Sequence, residues 1–109
     1  MTSTTLTLEQ QDALALLRSA ANISNARALG DKAALAKALD NNMQLWTGIQ
    51  TLLSRADHPL PTEIKSNLLK LAHFVVSKTL LNGCDAQETT LDTLENMNLQ
   101  IAEGLLEAA

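Results

Sequence analysis

Few residues of this chain have the type and spacing that catalysis or metal binding requires. Neither histidine, His58 nor His73, has a second metal ligand four residues further on, which argues against a zinc site on a helix face. Asp40 and Asp57 could meet a histidine in the fold, but no nucleophile motif accompanies them. Cys84 could be a reactive thiol near a helix N-terminus, although a solitary cysteine is more often simply tolerated. Because there is also no glycine-rich phosphate loop, the sequence predicts no enzyme, no metal and no cofactor.

Two asparagines interrupt apolar stripes that otherwise repeat at helical spacing. Asn42 is the polar member of the stripe Leu35, Leu39, Asn42, Trp46, Ile49 and Leu53. Asn98 occupies the centre of the stripe Leu91, Leu94, Asn98, Ile101 and Leu105. Asparagines inside an apolar seam commonly set register or cap helices. We expect both to be buried and paired, with each other or with a neighbouring helix end or loop, because an unpaired buried amide costs about 1–3 kcal/mol.

Four helices must position these residues, over about 8–29, 31–55, 61–82 and from 85 or 90 to 106. Gly30 and Gly83 end the first and third helices, since glycine readily takes the left-handed cap conformation. Asp31 caps the second helix, and Pro61 suits the first turn of the third. Short connections favour antiparallel neighbours, so we predict an all-α fold, a small up-and-down bundle of about four helices. Residues 1–109 form one domain, with residues 1–6 frayed.

The third predicted helix has the densest apolar pattern, with ten apolar residues between Ile64 and Leu81. Its stripe covers roughly half of the helix circumference, which is more than one neighbour covers. We therefore expect this helix to be the centre of the fold and to touch at least two others. The first helix is rich in small residues, which permit close helix approach, but the same face could instead be shallow and poorly specified. The residues expected to be buried together are Leu39, Trp46, Ile49, Leu68, Leu71, Val75, Leu94 and Ile101.

Two large apolar residues of the third helix, Phe74 and Leu81, fall on its polar side. One interpretation is that the first helix or the N-terminal tail covers them. The other is that they form part of a groove for an amphipathic partner segment, which needs apolar anchors at helical spacing. We predict Phe74, Leu81, Lys70 and Lys78 as partner-binding residues.

Charge is distributed unevenly along the chain. Residues 1–78 carry eight Lys/Arg and six Asp/Glu, whereas residues 79–109 carry six acidic residues and no base. The acidic segment is interpreted as a solvated helix face, and it argues against phosphate binding there. We find no secretory signal and no apolar run of about 18 residues, which predicts a cytoplasmic protein that does not interact with membranes.

Four short motifs follow one another along the chain: Asn42-x-x-Leu45-Trp46, Leu60-Pro61-x-Glu63-Ile64, Leu68-Leu69-x-Leu71-Ala72-x-Phe74-Val75 and Met97-Asn98-x-x-Ile101-x-x-Gly104-Leu105. Their order and spacing resemble the flagellar biosynthesis regulator FlaF family of certain bacteria. The resemblance covers about Ala34 to Leu106. A tyrosine and a Pro-Arg pair that family members often carry near the N-terminus are missing here. The motif residues taken as structural are Asn42, Leu45, Trp46, Pro61, Leu68, Leu71, Asn98, Ile101 and Gly104.

The resemblance implies a small, cytoplasmic, non-enzymatic protein needed for flagellin production. Its implied partners are flagellin, whose delivery to the export apparatus it would assist, and a regulator of FlbT type that represses flagellin translation. The alternative hypothesis is a regulator that binds flagellin messenger RNA directly. The charge distribution disfavours this alternative, because the chain has no basic stripe with interleaved aromatic residues.

Overall fold

The computed structural model describes residues 8–55 and 61–108, and these residues form four long helices. The helices are α1 (Leu8–Leu29), α2 (Lys32–Leu53), α3 (Thr62–Asn82) and α4 (Glu88–Ala108), with a short 3₁₀ turn over Gly83–Asp85 before α4. No strand occurs in this part of the chain. The prediction of a small all-α bundle of about four helices is therefore confirmed. The predictions made for Asp57, His58 and the frayed residues 1–6 lie outside the described residues.

Local signals set most helix ends where the sequence predicts them. Gly30 and Gly83 have φ angles of +65° and +52°, which residues with a side chain rarely adopt. The carboxylate of Asp31 accepts a hydrogen bond of 3.0 Å from the backbone N–H of Ala34, so Asp31 caps α2 as expected. Pro61 lies one position before the first residue of α3 rather than inside its first turn.

The centre of the bundle is α1, which packs extensively against both α2 and α4. Its buried face consists of Ala13, Leu16, Ala20, Ile23 and Ala26. Leu16 bonds to Asn98 while Arg27 bonds to Glu88, so α1 and α4 are antiparallel. Of the two interpretations of this small-residue face, close helix approach agrees with the structure and a shallow, poorly specified face does not, because α2 and α4 bury it.

The position of α3 differs most from the sequence prediction. This helix packs extensively against α2 and contacts the 3₁₀ turn, but it makes no comparable contact with α1 or α4. Only Ala72 and Val75 of α3 are fully buried, and Ile64 and Leu80 remain exposed. The expectation that α3 is the centre of the fold is therefore wrong. The Cα radius of gyration is 14.5 Å, compared with roughly 13 Å for a compact domain of this length.

Most residues that were expected to be buried together do belong to one core. Leu39, Trp46, Val75 and Leu94 are fully buried in it, while Ile49, Leu71 and Ile101 are half-buried and pack against it. Leu68 is half-buried and does not belong to this cluster, so the expectation is wrong for that residue. Its position in the first half of α3 explains this, because the helix is only partly covered there.

Candidate partner-binding surfaces

A chain of hydrogen-bonded polar side chains lies where α1, α2 and α4 meet. The carboxamide oxygen of Asn98 accepts a hydrogen bond of 2.8 Å from the indole N–H of Trp46. The Nδ2 group of Asn98 donates to Asn42 Oδ1 at 2.7 Å and to the Leu16 carbonyl at 3.2 Å. Asn42 Oδ1 also accepts from the Ser19 hydroxyl at 2.8 Å. These four side chains are buried and join three helices at one level.

The orientations of both amides in this network follow from the tryptophan. An indole N–H can only donate, so it must face the oxygen of Asn98, and the Nδ2 of Asn98 must then face the oxygen of Asn42. The Nδ2 of Asn42 is left without a partner. The expectation of buried, mutually bonded asparagines is confirmed, but the expectation that both are fully paired is wrong for Asn42. The network fixes the register of three helices and offers no catalytic arrangement.

A second polar cluster joins α1 to the first half of α4. Arg27 forms ion pairs with Glu88 at 2.5 Å, with Asp92 at 2.9 Å and with Glu95. Its hydrogen bond to Glu88, and then those to Glu95 and Asp92, raise the pKa of Arg27 against the lowering effect of burial. The Glu95 side chain is only 16% exposed, so this acidic surface is in part an interhelical contact rather than a wholly solvated face.

The four residues predicted to bind a partner lie within about 80° of one another around α3, but they differ in exposure. Phe74 is half-buried and packs against the core, and the Lys78 ammonium lies 5.8 Å from the centre of its ring. Leu81 is 76% exposed near the end of α3. Lys70 is exposed in the first half of the same helix, facing a groove that the sequence did not predict.

This α2–α3 groove has a volume of about 580 Å³ and is open to solvent. Its apolar residues are Leu53 of α2 and Leu69 of α3. The remaining lining residues are polar or basic: Ser54, Arg55, Thr62, Lys65, Ser66, Lys70 and His73. No aspartate or glutamate of the described residues lines it. The basic residues follow one another closely in sequence, but only the packing of α3 against α2 shows that they share a groove.

The residues of the four family motifs have mainly structural positions. Besides the buried network, Leu45, Leu71 and Ile101 pack against the core while remaining half-buried. Pro61 is exposed just before α3. Gly104 is exposed within α4, and a Cβ added there would meet no atom within 4 Å. The packing therefore gives no steric reason for glycine at this position.

The described residues include no group of three or more His, Cys, Asp or Glu that could hold a metal ion. No helix in the described part of the chain combines the length and the hydropathy that a bilayer crossing requires. The fold and its surfaces define a small helical bundle. Its distinctive features are two polar clusters that join helices to one another and an open basic groove.

Comparison with protein families identifies the group to which this bundle belongs. The family model described as flagellar protein FlaF matches residues 1–105, so the chain belongs to the FlaF family. The match begins at residue 1, before the first of the four motifs, and therefore includes α1. Comparisons with curated proteins and with solved structures give no match.

Proposed function

We propose that this protein binds flagellin in the cytoplasm and supports its synthesis and export, acting as a chaperone-like regulator without enzymatic activity. The observation that carries the proposal is the family match over residues 1–105, together with the role that the family resemblance implies. A regulator of FlbT type is proposed as a second partner.

The physical character of the bundle supports a protein-binding role. Helix α3 lies at the edge of the fold and presents apolar side chains to solvent, among them Ile64, Leu80 and Leu81. Exposed apolar residues beside basic ones are what an amphipathic partner segment requires. Direct RNA binding finds less support, because neither of the two aromatic side chains is exposed. Trp46 is fully buried and Phe74 packs against the core, so neither offers a stacking platform for bases.

A binding titration of the purified protein against flagellin and against the leader RNA of its messenger tests the proposal. We expect saturable binding to flagellin and only weak, strongly salt-dependent binding to the RNA. Tight RNA binding without flagellin binding would contradict the proposal and favour the translational alternative. Recovery from the native cell followed by identification of bound proteins provides an independent check, and we expect flagellin among them.

A further inference from the structure

The α2–α3 groove combines an apolar floor with a basic rim. Arg55, Lys65 and Lys70 line it, which places three of the chain's eight Lys/Arg around one opening. The chain as a whole carries a net charge of −4, so the groove is a basic surface on an acidic protein. An occupant with negative charge beside apolar side chains would match both properties.

The apolar floor continues along α3 beyond the groove. Val76 and Leu80 follow Leu69 by seven and eleven residues, which places both within about 20° of it at 100° per residue. The row from Leu69 to Leu80 extends over about 16 Å at 1.5 Å per residue, which is the length of three helical turns. Leu80 at its end is 71% exposed. An apolar row of this length suits a helix with anchors on successive turns better than it suits a compact small molecule.

We propose that the α2–α3 groove and the adjoining row Leu69–Val76–Leu80 bind an acidic amphipathic helix of a protein partner. The apolar side of that helix packs on Leu53, Leu69 and Leu80. Its carboxylates face Lys65 and Lys70 at the rim, where Lys65 also donates to the Arg55 carbonyl at 3.2 Å. Identifying the partner as flagellin rests on the proposed function, whereas the chemistry of the occupant rests on the groove itself.

This arrangement differs from the sequence prediction in the side of α3 that is used. Phe74 and Leu81 are rotated from Leu69 by about 140° and 120°, so they do not belong to the row. Leu80 and Leu81 are adjacent and similarly exposed, at 71% and 76%, but only Leu80 extends the row. The pair therefore provides a matched test in which side-chain type and exposure are nearly constant.

The first experiment uses two synthetic helical peptides with the same leucine pattern, one carrying glutamates and the other lysines at the polar positions. We expect the full-length protein to bind the glutamate peptide and to bind the lysine peptide at least about tenfold more weakly. Leu80→Asp and Lys70→Glu should each weaken binding of the glutamate peptide by about tenfold or more. Leu81→Asp and Lys37→Glu, which alter exposed residues outside the groove and row, should change it less than about twofold.

The groove is also tested by filling it. Ser66 is exposed and lines the opening, so Ser66→Trp should block the site without removing a buried contact. Circular dichroism must show that each variant keeps the helical content of the unchanged protein. Loss of glutamate-peptide binding in the folded Ser66→Trp variant would support the proposal.

Three results would overturn the proposal. One is equal affinity for the two peptides, or no binding of either. Another is a larger loss from Leu81→Asp than from Leu80→Asp, which would place the partner on the side of α3 that carries Phe74 and Leu81. The third is RNA binding that Lys70→Glu removes while peptide binding is unaffected. If the glutamate peptide binds in the groove but flagellin does not bind at all, the groove proposal stands and the proposed function fails.

Discussion

The buried asparagine network makes the two amides unequal, and alanine substitutions should reveal the difference. Asn98→Ala leaves the Trp46 indole N–H without an acceptor in a fully buried position, which costs about 1–3 kcal/mol. Loss of packing around the shortened side chain adds to this cost, giving about 2–4 kcal/mol. Asn42→Ala also breaks hydrogen bonds, but it removes the unpaired Nδ2 group at the same time. We expect it to cost about 1 kcal/mol less than Asn98→Ala.

Urea unfolding followed by tryptophan fluorescence measures both costs. Trp46 is the only tryptophan and is fully buried, so its emission reports directly on opening of the centre of the bundle. Each variant should lower the midpoint urea concentration while leaving the urea dependence of the free energy unchanged. For a domain of this size, a loss of 2–4 kcal/mol corresponds to a fall in Tm of roughly 10 °C or more.

The relative free-energy costs of Asn42→Ala and Asn98→Ala test which of the two amides is unpaired. If Asn42→Ala costs as much as Asn98→Ala or more, the assignment of the unpaired amide to Asn42 is wrong. If Asn98→Ala costs less than about 0.5 kcal/mol, the indole does not depend on Asn98 as its acceptor. Trp46→Phe supplies a further check, with unfolding of all four proteins followed by circular dichroism because this variant has no tryptophan. It removes the donor and should reduce the additional cost of Asn98→Ala in a double-mutant cycle.

Three further predictions follow from burial, charge and backbone conformation. Leu16→Ala in the central helix should lower the free energy of unfolding by about 2–5 kcal/mol. Leu71→Ala in the peripheral helix should lower it clearly less, because Leu71 is only half-buried. Equal losses of free energy in chemical denaturation would contradict the central position of α1. Arg27→Gln should cost about 1–2 kcal/mol at low salt and less at high salt, as urea titrations at two ionic strengths can show. Since the folded-state pKa of Arg27 is raised, its contribution is complete at every pH below the ordinary pKa of an unfolded guanidinium; loss of this contribution between neutral and mildly alkaline pH would refute the assignment. Gly104→Ala should raise the free energy of unfolding by about 0.5–1 kcal/mol, because alanine fits the open space in α4 and favours helix; a lowered Tm would indicate a contact not apparent here.

The sequence alone determined the features that depend on neighbouring residues. Asp31, Gly30 and Gly83 set helix ends through interactions within a few residues, so their effects could be predicted without the fold. The helical period placed Asn42 and Asn98 in apolar seams. The burial of both asparagines could be predicted from this placement, because a polar residue in the middle of an apolar seam lies in the core whichever helix covers it. The family motifs also depend on order along the chain and remained recognisable without coordinates.

The tertiary structure alone decided which apolar faces are covered. A helical wheel gives the width of a stripe but not the number of neighbours, so the wide stripe of α3 wrongly suggested a central helix. The alanine-rich face of α1 gave a weak pattern, yet close approach by α2 and α4 buries it. The joining of Arg27 to α4 and the unpaired amide of Asn42 depend on residues far apart in sequence, and the basic groove beside Leu69 depends on how α3 packs against α2. Such contacts form only when whole helices pack, because each needs the relative position of two or three helices.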